Sequence, residues 1–184
     1  MERFPVIRQP EYPPQDLVAS CDAALSAVNP TEELSAADRA VTLRMLNEAL
    51  SMEMMCAQRC QYQAILARDL DVATVADELE RHAADAQSHV DRLLQRIAQL
   101  DGGAQASTDH LAYVSHSEYV GGVTLTDMLK ESLATERMAV AGYREMVEYL
   151  GEKDPITRRL LEDIMAMEAI QVHNLAIQVA RDSI

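Results

Sequence analysis

The sequence predicts an all-α fold, a four-helix bundle built from two antiparallel helical hairpins. Three observations carry that expectation. The 184 residues include six Gly, six Pro, no Trp and one Phe. Aromatic and β-branched residues dominate strands, and this chain is instead rich in Ala, Leu, Met and Glu, which favour helices. Four long amphipathic segments follow one another, each opened or closed by recognisable capping residues. The connections between them are short, long, short, which suits two hairpins joined by one crossover.

Taken in order, residues 1–15 form a Pro-rich arm with Pro5, Pro10, Pro13 and Pro14, expected to be extended along a surface. Asp16 to Val28 reads as a short amphipathic helix, ended by Asn29-Pro30. Ser35 caps the first long helix, which runs to about Arg68. Asp71 is expected to cap the second, which reaches Leu100 and closes on Asp101-Gly102-Gly103. Thr124 with Asp127 resembles a capping box for the third, which stops at Gly151. Asp154-Pro155 supplies a cap and a first-turn proline for the fourth. The domain reading is an arm and short helix over 1–34 and the bundle over 35–184.

The outer connections are about three and four residues long, so each joins an antiparallel pair. The middle one runs from Asp101 to Val123. Helices of about 28 residues span about 42 Å at 1.5 Å per residue. A segment of about 23 residues reaches about 75 Å when extended, enough to travel the bundle's length. A connection of that size in a compact domain needs such a reason.

The formal net charge of −14 argues against nucleic-acid binding, because few cationic side chains could displace phosphate counterions. Cys21, Cys56 and Cys60 make no disulfide framework and read as reduced thiols of a cytoplasmic protein. The first 15 residues carry charge and proline and no apolar core, unlike a signal peptide. No apolar run is long enough to span a membrane.

Chemistry concentrates at four positions, one per long helix: Glu53, His89, Glu136 and Glu168. At about 100° per residue, Glu53 shares a face with Leu46, Leu50, Cys56, Ala57, Cys60 and Ala64. Glu136 lies among Leu129, Leu133, Val140, Tyr143 and Val147, and Glu168 among Leu161, Ile164, Val172 and Leu175. A buried carboxylate is costly without a partner, and three facing one another repel unless a cation or shared protons join them. One surface Glu or one tolerated ion pair is the ordinary reading of each alone. His89 falls on the border of its apolar stripe, beside a polar row of Glu78, His82, Asp85, Arg92 and Arg96. Two readings stand for it: a hydrogen bond to Asp85 one turn away, or a ligand whose second nitrogen a carboxylate orients. Met52, Met54, Met55, Cys56 and Cys60 form a sulfur-rich run. Soft donors would select Cu(I), whereas the plainer reading makes the Cys small core residues and the outward Met an interface.

On these residues the chain resembles the ferritin superfamily, and bacterioferritin and Dps-like proteins in particular. LNEALSMEMMCAQ is similar to the pattern whose mid-helix Glu falls on Glu53, and AQSHVDRLLQRIAQLDG to the one placing His on His89. DMLKESLATERMAVAGYREMVEYLGEKD places its Glu on Glu136, and TRRLLEDIMAMEAIQVH, like the family's L-E-D-I-x-x-x-E-x-x-H, places its Glu on Glu168. The likeness covers residues 36–180. Two departures come with it: the bridging Glu of the second helix falls on Ala86, and the His of the fourth on Gln171.

The resemblance implies a ferritin-like bundle with a modified di-iron centre. One metal position would keep Glu53, His89 and Glu168; a second would keep Glu136, the shared Glu168 and the Gln171 amide oxygen. It implies iron, one or two ions per subunit, with zinc or manganese as alternatives for such donors. It implies storage or detoxification of intracellular iron, with Fe(II) oxidised by O2 or peroxide as in a ferroxidase. The haem-binding Met of bacterioferritin falls on Gln87, so no haem is expected. A homo-oligomer is implied, from a dimer to a 12-subunit or 24-subunit shell. The short fifth helix of bacterioferritin-type cages is missing after the fourth, which weighs against the largest shell. The alternative is a bundle with a degenerate metal centre, acting as a structural or interaction protein, and Ala86 favours it.

Overall fold

The computed structural model describes residues 34–105 and 124–182. It contains four long helices: α1 Ala36–Asp69, α2 Ala73–Gln99, α3 Leu125–Leu150 and α4 Pro155–Asp182. Among the described residues there is no strand. The Pro-rich arm, the short helix at 16–28, residues 106–123 of the crossover, and with them His110 and His116, lie outside the described residues.

The caps explain where the helices begin and end. Ser35 Oγ accepts a bond from the Asp38 amide at 3.1 Å, an interaction that contributes about 1 kcal/mol at a helix start. Thr124 and Asp127 exchange side chain and backbone bonds in the expected box. Asp154 accepts the Thr157 amide at 2.9 Å ahead of Pro155. Asp71 differs from expectation. It does not cap α2, whose N-cap is Val72 with no side-chain bond. Instead Asp71 closes α1 in the left-handed region, with φ 61. Its amide bonds to Arg68 O and the Val72 amide to Ala67 O, both at 3.0 Å, the Schellman pattern. With only Leu70, Asp71 and Val72 between the helices, finishing the first uses the whole connection. Asp101 repeats the arrangement at the end of α2, with φ 50 and the Gly102 amide on Ile97 O at 2.9 Å. Asp tolerates this conformation better than most side chains. A Cβ at Gly102 would meet the tip of the Leu43 side chain, which would have to shift to admit it.

The side-chain pairs between helices give the register. Going up α1, Glu53, Cys56, Arg59 and Gln63 meet Tyr143, Glu136, Thr135 and Ser132 in descending order, so α1 and α3 are antiparallel. Along α2, Glu78, His89 and Arg96 meet Asn174, Glu168 and Asp154, so α2 and α4 are antiparallel too. The end of α2 and the start of α3 therefore lie at opposite ends of the bundle. That is the topology of ferritin-like folds.

The core changes character along the axis. One half is built from large side chains: Leu46, Leu50, Leu93, Ile97, Tyr143, Leu150, Leu161 and Ile164. In the other, α1 and α2 pack small ones, Ala57, Ala64, Ala67, Ala76, Ala83 and Ala86, with Leu79, Cys56 and Cys60, and α3 and α4 bring Leu129, Leu133 and Leu175. Burying each Leu or Ile contributes about 1.5–3 kcal/mol. Glu53, between Leu50 of the first set and Cys56 of the second along α1, sits where the two meet.

Candidate metal centre

Glu53, His89, Glu136 and Glu168 come from α1, α2, α3 and α4 in turn, and each is at most 2% exposed. His89 is well inside the bundle, not at its border. Its Nδ1 lies 3.0 Å from Glu53 Oε2 and 3.0 Å from Glu168 Oε1. Asp85, the alternative partner, accepts from Arg81 at 3.0 Å instead. Tyr143 Oη donates a short hydrogen bond to the other Glu53 oxygen. Of the two contacts at Nδ1, the one to Glu53 has hydrogen-bond geometry. Among the described residues neither oxygen of Glu168 has a well-directed hydrogen bond, and the same holds for His89 Nε2 and both ends of the Gln171 amide. Gln171 is 2% exposed. Buried polar atoms are nearly always satisfied, so such a group of orphans in one bundle core needs an explanation.

Electrostatics define the state without a metal. Burial disfavours the His89 imidazolium, but Glu168 and Glu53 outweigh it and raise its pKa to about 9. At neutral pH His89 is thus a cation held between two carboxylates. Glu136 moves up to about 7, through burial first and the neighbouring Glu168 second; Cys56 and Arg59 oppose the shift. Burial also pushes the Tyr143 phenol well above its ordinary value, with the Glu53 carboxylate adding to it. The phenol therefore stays a proton donor.

The donor set fits a metal ion. One oxygen each of Glu53 and Glu168 and one nitrogen of His89 lie within 4.8 Å of one another, all buried. For bonds of about 2.1 Å at right angles, neighbouring donors stand about 3.0 Å apart, which matches both distances at His89 Nδ1.

A family model described as ferritin-like domain matches residues 43–183. The chain belongs to the ferritin family. No curated protein matches it. In this ferritin-like bundle Ala86 is fully buried and shares a packed cluster with Cys56 and Cys60. Carboxylate and imidazole groups able to hold a metal are thus present on a ferritin-like fold.

Glu136 keeps different company from the other three. Cys56 Sγ lies 3.1 Å from its Oε1, and Arg59 Nη2 stands at 3.9 Å. Cys56, Cys60 and Glu136 form a second group with atoms within 4.8 Å of one another. The sequence placed both thiols on the inner face but did not connect them with Glu136, 80 positions from Cys56. Two further residues escaped the sequence reading. Tyr143 was grouped with the apolar stripe, although a buried phenol needs a partner. Arg96 was grouped with a polar row. It is 5% exposed, donates to both Asp154 oxygens at 3.0 Å and to Thr157 at 2.8 Å, and so locks α2 to the start of α4. His82, from the same row, is also buried, against Glu78 at 3.1 Å. His173 is exposed.

Proposed function

We propose that the chain is an iron-binding ferritin-like protein that captures Fe(II) at Glu53, His89 and Glu168 and serves intracellular iron storage or detoxification as a cytoplasmic homo-oligomer. The single observation behind this reading is the buried Glu53–His89–Glu168 cluster, with donor spacing suited to a metal and Glu168 oxygens without directed hydrogen bonds. Iron bound there would supply one-electron chemistry, Fe(II) to Fe(III), with dioxygen or peroxide as acceptor. The chain's own part is to bind and orient. His89 gives up its Nδ1 proton so that the nitrogen can act as a donor, Tyr143 holds Glu53 in place, and the surrounding leucines keep bulk water out. Glu136, the shared Glu168 and the Gln171 amide oxygen would complete a weaker second position, since Ala86 offers no bridge. Among the described residues no helix is long and apolar enough to cross a membrane.

Anaerobic Fe(II) titration tests the proposal. Wild-type protein takes up iron at micromolar concentration, and Glu53→Ala with Glu168→Ala abolishes uptake. No uptake by the wild type overturns it. One observation favours a second reading, a bundle with a degenerate centre. Protonated His89 already offsets one of the two carboxylate charges beside it, so the cluster can stand without a metal as an ion pair. Metal analysis of protein produced with ample iron separates the two, because the second reading requires well under one metal per chain.

A further inference from the structure

We propose that Cys56, Cys60 and Glu136 form a separate position for a thiophilic divalent cation of the zinc class. The proposal goes beyond the iron reading: the two thiols are new donors, and Glu136 is shared with the weaker second iron position, whose place this ion would take. The spacing suits a tetrahedral ion. Metal–sulfur bonds of about 2.3 Å at the tetrahedral angle hold two sulfurs about 3.8 Å apart, and Cys56 Sγ and Cys60 Sγ stand 3.9 Å apart. Glu136 Oε1 lies 3.1 Å from Cys56 Sγ, and all three donors fall within 4.8 Å of one another. The group is at most 6% exposed, so its donors need not be stripped of bulk water when an ion binds.

Two independent features mark the place as built for a ligand. Glu168 lies close enough to Glu136 to help raise its pKa, yet neither Glu168 oxygen has a directed hydrogen bond among the described residues. Gln171, one turn of α4 further on, is nine-tenths buried or more with both amide atoms unpartnered. Glu168, whose charge acts on both Glu136 and Cys56, can supply a fourth donor. Charge balances as well: two thiolates, one carboxylate and a divalent ion leave one negative charge, and Arg59 stands 3.9 Å from Glu136 to offset it. The mixture of thiolates with a carboxylate selects zinc over Cu(I), which prefers sulfur alone. Coordination deprotonates a thiol outright, so the ion binds with release of thiol protons to solvent. Ala86 gives the arrangement its room, because the small-residue cluster around it packs directly on both cysteines.

The test uses reduced, metal-free, full-length protein and Co2+ as a coloured stand-in for Zn2+. The expected result is one thiolate-bound cobalt per chain, seen as sulfur-to-cobalt charge transfer with tetrahedral visible bands, and bleached by added Zn2+. Cys56→Ser with Cys60→Ser removes the bands and weakens Zn2+ binding by roughly a hundredfold or more, since even losing an outer-shell partner costs about 10–100-fold. Glu53→Ala retains the bands, so failure of the iron reading and failure of this one are distinguishable. X-ray absorption of zinc-loaded wild type needs no variant and should show sulfur neighbours at about 2.3 Å. Only oxygen and nitrogen neighbours, cobalt bands without charge transfer, or thiols that take up Cu(I) while showing no tetrahedral cobalt, would each overturn the proposal.

Discussion

Glu136→Gln should stabilise the metal-free protein, and only at neutral and alkaline pH. A carboxyl whose pKa is raised on folding contributes stability that is fully present below its ordinary value and is lost as pH rises to the folded value. For Glu136 those limits are 4.5 and about 7, set by burial and the nearby Glu168. Above pH 7 the native state carries the full cost of an ionised, buried Glu136, and the interval corresponds to about 3 kcal/mol. Gln removes the charge while keeping an oxygen able to accept from Cys56. Melting with a chelator present at pH 8 should place the variant higher by roughly 6–12 °C, at 2–4 °C per kcal/mol for a chain of this size. At pH 5 the folded carboxyl is protonated and the unfolded one only partly ionised, so the difference should shrink to about 1 kcal/mol or less. The pH dependence separates this effect from a change in packing, which would persist at both values. Equal melting at pH 8, or a less stable variant there, would refute the idea that Glu136 is held in the core at a cost to the metal-free fold.

Two further outcomes follow from the same geometry. His89 has a pKa of about 9 between Glu53 and Glu168, so a metal at that position must displace its proton. Affinity for Mn2+, which favours oxygen and nitrogen donors over thiolates, should rise about tenfold per pH unit between pH 6 and 8. Calorimetry in buffers of different ionisation enthalpy should count the released proton, and a flat profile would contradict the assignment. Arg96→Ala strips the buried Asp154 of its bidentate partner. Breaking a buried pair in this way costs about 3–5 kcal/mol, measurable as a fall in the urea midpoint.

Much of the bundle was legible because its signals are local. Ser35, Thr124 with Asp127, and Asp154-Pro155 mark helix starts through side chains a few residues from the amides they bind. Asp71 was misplaced because Asp suits both a helix start and a left-handed helix end, and only the three-dimensional path decides between them. Helical phase put Glu53, Glu136 and Glu168 inside, where they are found. It left His89 on a border because polar neighbours counted as a solvent face. His82 and Arg96 show why that inference failed: each is buried against a charged partner, Glu78 or Asp154, that periodicity cannot register. The link from Cys56 to Glu136 crosses two helices of different hairpins, and no spacing within one helix encodes it.

An anomalous-scattering crystal structure of protein loaded anaerobically with Fe(II) probes the proposed iron position most directly. Data at the iron edge should show a peak within bonding distance of Glu53, His89 and Glu168, with His89 Nδ1 turned from hydrogen-bond donor to ligand. No iron peak between these residues, with His89 still bridging Glu53 and Glu168 as an ion pair, would contradict an iron-binding centre here.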